Sequence, residues 1–167
     1  MRKCNIIGCG NSLRGFDFNT LEGFNIAVNN AHLYTPYDIC VAIDDPTVHL
    51  KHIPDNLHTQ TKYGIGRGWT MTPQRNIVRS TELIGNWNGS LYASINIALN
   101  LGFKELTIYG ADNKIGDDNI IHFYEDNPWA QDVVDTYREC FKRFNSFKHL
   151  ITNQLYPDEK ITWITAP

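Results

Sequence analysis

Four short apolar runs, each followed at once by glycine, asparagine or aspartate, set the rhythm of this chain. They are "CNIIG" at 4–8, "FNIAV" at 24–28, "DICVAI" at 38–43 and "ELTIYG" at 105–110. None alternates strictly between polar and apolar, so each predicts a strand buried on both faces, within a sheet covered on two sides. Elsewhere the period changes. "NGSLYASINIALNLGF", 88–103, is apolar nearly all round and stops at Gly102, which predicts a buried helix ended by a left-handed glycine and packed directly on the sheet. Trp129, Val133, Tyr137, Phe141, Phe144, Phe147 and Ile151 recur at three- and four-residue steps, with Lys142, Arg143 and Lys148 off that stripe, predicting a long amphipathic surface helix from Trp129 to Ile151. "KITWIT", 160–165, predicts a closing strand.

Strands alternating with helices predict an α/β fold with a Rossmann-like, open, mainly parallel sheet and helices on both faces. The 167 residues fit one such domain, 1–167, with room for a substantial core. The stretch 46–87 has the weakest pattern, is rich in His, Thr, Gly and Arg, and carries "GIGRGW" at 64–69. It is expected to be partly irregular structure around a site, with a strand or two such as "NIVRS" at 76–80.

Net charge narrows the partners. A formal charge of −3 gives no broad basic field of the kind that holds duplex nucleic acid, though a local basic patch stays open. No apolar stretch reaches the length of a membrane span, and Met1-Arg2-Lys3 runs straight into a strand with no secretory h-region, so the expectation is a soluble, cytoplasmic protein. Cys4, Cys9, Cys40 and Cys140 are scattered without a C-x-x-C pair, which reads as free thiols in a reducing compartment. Association between copies of the chain is left open.

Candidate chemistry sits just beyond the apolar runs. The first is followed by Gly8, Gly10, Asn11 and Ser12, the second by Asn29 and Asn30, the third by Asp44, and the fourth ends in Gly110 with Asp112 two residues on. These are turn formers and terminate strands on that ground alone. In an open parallel sheet, however, the carboxyl ends of the strands share one edge, and ligands bind there. The first turn is not a dinucleotide fingerprint: Leu13 stands where the third glycine would fall, and Asn29-Asn30 where an acidic residue would hold a ribose. No G-K-[ST] occurs, which excludes a P-loop. What remains is a turn whose amides and Ser12 hydroxyl would meet a phosphate. Asn88-Gly89-Ser90 is either a second such cradle or an ordinary helix cap.

Two blocks carry a family likeness. "GCGNSLRGFDFNTLEGFNIAVNNAHLYTPYDICVAIDD" and "NGSLYASINIALNLGFKELTIYGADNKIGDDNIIH", about half the chain, resemble bacterial lipooligosaccharide-type sialyltransferases and the related motility accessory factors and archaeal 6-hydroxymethylpterin diphosphokinases. The resemblance implies a Rossmann-type domain binding a nucleotide, a CMP-sugar in the transferases and ATP in the diphosphokinases. It places Gly8, Gly10, Asn11 and Ser12 on the phosphates and Asn29 or Asn30 on the nucleotide or donor. Gly89 and Ser90 match the second turn, Asp112 the aspartate of G-x-D, and His122 the histidine beyond it. The chain departs from the transferases at Asn11, where Pro is common, and in its shorter length, which leaves little room for an acceptor lid.

His122 is the candidate base, since imidazole takes a hydroxyl proton near neutral pH. The function expected is a transferase using a nucleotide-activated donor, first a sialyltransferase-like glycosyltransferase inverting at the anomeric centre. The alternatives are ATP- and Mg²⁺-dependent pyrophosphate transfer, with Asp44 and Asp112 sharing the metal, and a nucleotide-binding module without catalysis. The acceptor is not legible. No cofactor is required by the first reading. His49, His52 and His58 lack the Cys or carboxylate that would complete a zinc set. Lys62, Arg67, Arg75 and Arg79 are either solvated charge or a closure over phosphates, and Asp117-Asp118 reads as a polar turn.

Overall fold

The computed structural model describes residues 2–42, 51, 57–59, 89–155 and 158–164. Six strands form one sheet: β1 (Lys3–Ile7), β2 (Phe24–Val28), β3 (Ile39–Ala42), β4 (Leu57–Thr59), β5 (Glu105–Tyr109) and β6 (Lys160–Ile164), in the order β4-β3-β2-β1-β5-β6. Every adjacent pair is parallel, and Ile6 at the centre is flanked by Ile26 and Ile108. This is the open parallel α/β sheet that the apolar runs predict. β4 falls in the stretch 46–87, where a strand or two was expected, but at a place no apolar run marks.

Among the described residues two α-helices accompany it, α1 (Ser90–Asn100) and α2 (Gln131–Leu150), the latter continuing into a π-type turn at Ile151–Leu155. α1 is buried almost all round, and Ile95, Ile97 and Ala98 pack among Cys4, Ile6, Ile26 and Ile108. It ends where Gly102, at φ +83°, lets its own N–H reach Leu99 O and the Phe103 N–H reach Ala98 O, a Schellman closure that spares the helix two orphan carbonyls. α2 begins two residues later than predicted. Trp129 precedes it, and Val134, fully buried, occupies the inward position expected of Val133. Its Phe144 joins the cluster under α1.

The opposite face of the sheet is covered differently. Ile7 and Ala27 lie there under Leu13, Phe18, Ala31 and Phe123, carried by the 3₁₀ turns Asn11–Leu13, Phe18–Thr20 and Asn29–Leu33 and by the segment after β5. Among the described residues, the helical cover on this face is made of short 3₁₀ turns. The polar turn at Asp117-Asp118 forms as expected, Asp118 Oδ1 accepting from the Ile120 N–H at 3.2 Å. Asp44, Asn88, His49, His52, the basic residues Lys62 to Arg79 and the strand "NIVRS" lie outside the described residues.

The strand order locates the site. From β1 the chain steps outward through β2, β3 and β4, then returns to lay β5 on the other side of β1. The direction of winding reverses between β1 and β5, and the loops leaving their carboxyl ends part there to open a crevice.

Candidate functional site

A cavity of about 380 Å³ occupies that crevice. The structure brings most of the expected residues to it. Gly8 and Gly10 come from the turn after β1, Asn29 from just past β2, Gly110 and Asp112 from the turn after β5, Gly89 and Ser90 from the start of α1, and His122 from the segment between β5 and α2. Asn29 adopts a left-handed φ of +50°, a conformation asparagine tolerates better than most residues. Gly89 is the N-cap of α1 and supplies no side-chain cap, so Ser90 is the first residue of the helix, and this helix start opens into the cavity.

The glycines of the first turn lie against another backbone. The Gly8 N–H donates to Tyr109 O at 2.8 Å and the Gly10 N–H to Gly110 O at 2.9 Å. A Cβ on Gly10 would stand 2.5 Å from Gly110 O and 2.6 Å from an Asp112 carboxylate oxygen, closer than real carbon atoms come. The turn is glycine-rich because β1 and β5 continue to adhere past the ends of their strands. Ser12 completes this seam: its N–H donates to Asp112 Oδ2 at 2.7 Å and its hydroxyl to Asp112 Oδ1. The amides of Gly8, Gly10 and Ser12 are therefore committed to protein acceptors. Asn11 lies off the cavity and accepts from Arg14 Nε at 3.3 Å, while Asn30 Oδ1 accepts from the Lys51 N–H at 2.9 Å.

The remaining walls are aromatic and cationic. Tyr137, Phe141 and Phe144 of α2 line one side, and Lys114, exposed, stands at the mouth. Tyr92 sits at the back with its hydroxyl donating to Phe144 O at 2.8 Å, and burial raises its pKa above the ordinary phenol value. Burial likewise pushes the Cys9 thiol up to about 12, so it is a neutral wall group rather than a nucleophile.

His122 is placed by its neighbours on all sides. Gly10 and His122 form an isolated antiparallel bridge, and the Phe123 N–H donates to Cys9 O at 3.1 Å, tying this segment to the first turn. The imidazole stacks on Tyr124 with ring centroids 5.3 Å apart and planes within 7°, and Tyr124 stacks in turn on Tyr34 at 5.0 Å. Trp129 and Tyr137 meet it edge-on. Its Nδ1 lies 2.7 Å from Glu125 Oε1. Glu125 is a site residue that the sequence pattern did not single out. The only trace is a carboxylate three residues after the histidine in "HFYEDNPW", a spacing that acquires meaning once the backbone turns there.

Among the described residues no group of three or more His, Cys, Asp and Glu side chains is arranged to hold a metal ion. None of the helices is long and apolar enough to cross a membrane, again among the described residues. No family model matches this chain, and it has no match among curated proteins or solved structures.

Proposed function

We propose that this protein is a transferase that holds a nucleotide-activated donor in the β1/β5 crevice and uses His122 to take the proton of an acceptor hydroxyl. The donor favoured is a CMP-sugar. In the reaction, the acceptor O–H bond breaks with its proton passing to His122 Nε2, the oxygen bonds to the anomeric carbon from one side, and the bond to the nucleotide phosphate breaks on the other, so the centre inverts. CMP leaves with the bonding electron pair.

The observation that carries this reading is that His122 lines a crevice at the sheet's switch point with Nδ1 held by a carboxylate. The aromatic wall of α2 offers a stacking surface to a base. With the first turn's amides committed to β5 and Asp112, the supports for the phosphate move across the crevice to the start of α1 and to Lys114. The pyrophosphate-transfer alternative needs carboxylates free for Mg²⁺, and both oxygens of Asp112 are engaged by Ser12.

Thermal-shift measurements against CMP, CDP, UDP, ADP and ATP, with and without Mg²⁺, test it, because a ligand stabilises by mass action. Stabilisation by cytidine nucleotides without metal is the expected result, and His122→Ala should bind CMP as well as the parent protein does. Stabilisation by ATP only with Mg²⁺ moves the assignment to pyrophosphate transfer. No response to any of the five removes the nucleotide reading.

A further inference from the structure

Glu125 accepts three hydrogen bonds, and their division between its two oxygens is informative. Oε1 receives the imidazole Nδ1 of His122 at 2.7 Å. Oε2 receives two donors that cannot reverse their roles, the backbone N–H of His122 at 3.1 Å and the indole Nε1–H of Trp129 at 2.7 Å. An ionised carboxylate only accepts, so Nδ1 must carry the ring proton and Nε2 is left with a bare lone pair. Nε2 has no hydrogen-bond partner among the described residues, and the ring lines the crevice.

We propose that Glu125 is a positioning residue that fixes the His122 tautomer, and that the two N–H donors on its far oxygen determine what any replacement at 125 would do. The consequence is sharpest for Glu125→Gln. The amide must turn its carbonyl toward the His122 and Trp129 N–H groups, because both can only donate. Its NH₂ then faces Nδ1, which must accept, and the ring proton moves to Nε2. The clamp on the loop survives and the tautomer inverts.

This separates positioning from structure. A residue that merely tied 122 to 129 would be replaced by glutamine at little cost, since the carbonyl still accepts both N–H groups. A residue that sets the tautomer would not, because Nε2–H cannot take a proton from a hydroxyl. The catalytic consequence rests on the reading of His122 as the base, whereas the tautomer does not.

The experiment is ¹⁵N NMR of the histidine rings at about pH 8.5, above the ordinary imidazole pKa of about 6.5, with His122 assigned by the signals lost in His122→Ala. The parent protein should show Nδ1 protonated and Nε2 bare, Glu125→Gln the reverse, and Trp129→Phe the parent pattern, because the His122 N–H still orients the carboxylate. Release of CMP from CMP-sialic acid, with water as acceptor, should fall about 10²- to 10⁴-fold in Glu125→Gln at an unchanged melting temperature. A proton on Nε2 in the parent overturns the proposal whatever the variants do, as does Glu125→Gln retaining a bare Nε2. If the tautomer inverts while CMP release is unaffected, Glu125 keeps its role and His122 loses its place as base.

Discussion

Alternate residues of β1 send Cys4 and Ile6 under α1 and Asn5 and Ile7 to the opposite side, and the two sides of the sheet are finished in different chemistry. Under α1 the facing positions are Cys4, Ile6, Ile26, Val28, Leu106 and Ile108, all at most 4 % exposed. On the other side a polar row crosses the sheet in register, Asn25 beside Asn5 beside Thr107. Asn5 Nδ2 donates to Asn25 Oδ1 at 2.8 Å and to Glu22 O at 2.9 Å, and the Asn25 N–H donates to Asp38 Oδ2 at 2.7 Å. The apolar side supplies burial. The polar row fixes register, because a slip of one residue would turn Asn5, Asn25 and Thr107 under the helix, where no partners await them.

The largest effect expected is an alkaline one, and it reports on both sides at once. Burial pushes the thiols of Cys4, under α1, and Cys40, on the opposite side, up to about 12 from an ordinary 9.0. Between those values the unfolded chain loses these protons and the folded chain keeps them. Stability is therefore full below pH 9 and falls as pH rises toward 12, by about 1.4 kcal/mol per thiol for each pH unit. Thermal melts from pH 8 to 11 should show the fall, and Cys4→Ala and Cys40→Ala should each flatten it. A flattening by Cys4→Ala alone would show that the 3₁₀ turns seal their face less well than α1 does.

Ile95→Ala strikes the apolar side alone. The side chain is wholly buried, and its truncation should cost about 2–5 kcal/mol in urea unfolding while leaving CMP binding to the folded protein intact. Asn5→Ala is its counterpart across the sheet. It strands Asn25 Oδ1 and Glu22 O without their donor and should cost about 1–3 kcal/mol by the same measurement. A neutral result would mean that the polar row contributes nothing to holding the strands in place. The smallest effect belongs to the seam above both sides. Ser12→Ala removes a hydroxyl from Asp112 and should cost about 0.5–1.5 kcal/mol of stability, with CMP affinity nearly unchanged because the group faces protein. A loss of CMP affinity at full stability would return Ser12 to the ligand.

The same contrast explains what could be read from the chain. β1, β2, β3, β5 and β6 were legible because each is an apolar run long enough to show against its surroundings, and α1 because Gly102 marks its stop. Leu57–Thr59 was not, since a three-residue edge strand has no pattern of its own and exists by pairing with β3. The convergence of Gly8, Asn29 and Gly110 on one cavity followed from where strands end, whereas His122, well beyond β5, was singled out only by the family likeness. The partner of the first glycine turn did not, because it is contributed by residues about a hundred positions away and depends on strand order. Glu125 was missed for a local reason: its three hydrogen bonds need a turn whose course no apolar spacing records.

Strand order also has a consequence for the order of events during synthesis. β1 leaves the ribosome about a hundred residues ahead of its neighbour β5, yet β5 pairs Ile108 with Ile6, and the seam that shapes the crevice joins Ser12 to Asp112. Until that later segment arrives, one edge of β1 is an unsatisfied ladder, and the nascent chain carries an open template for pairing with the wrong strand. Closing so long a loop makes for slow folding by comparison with domains built from neighbours in sequence. The crevice thus cannot exist before β5 arrives, and a chain halted short of β5 has four of the six strands and no site.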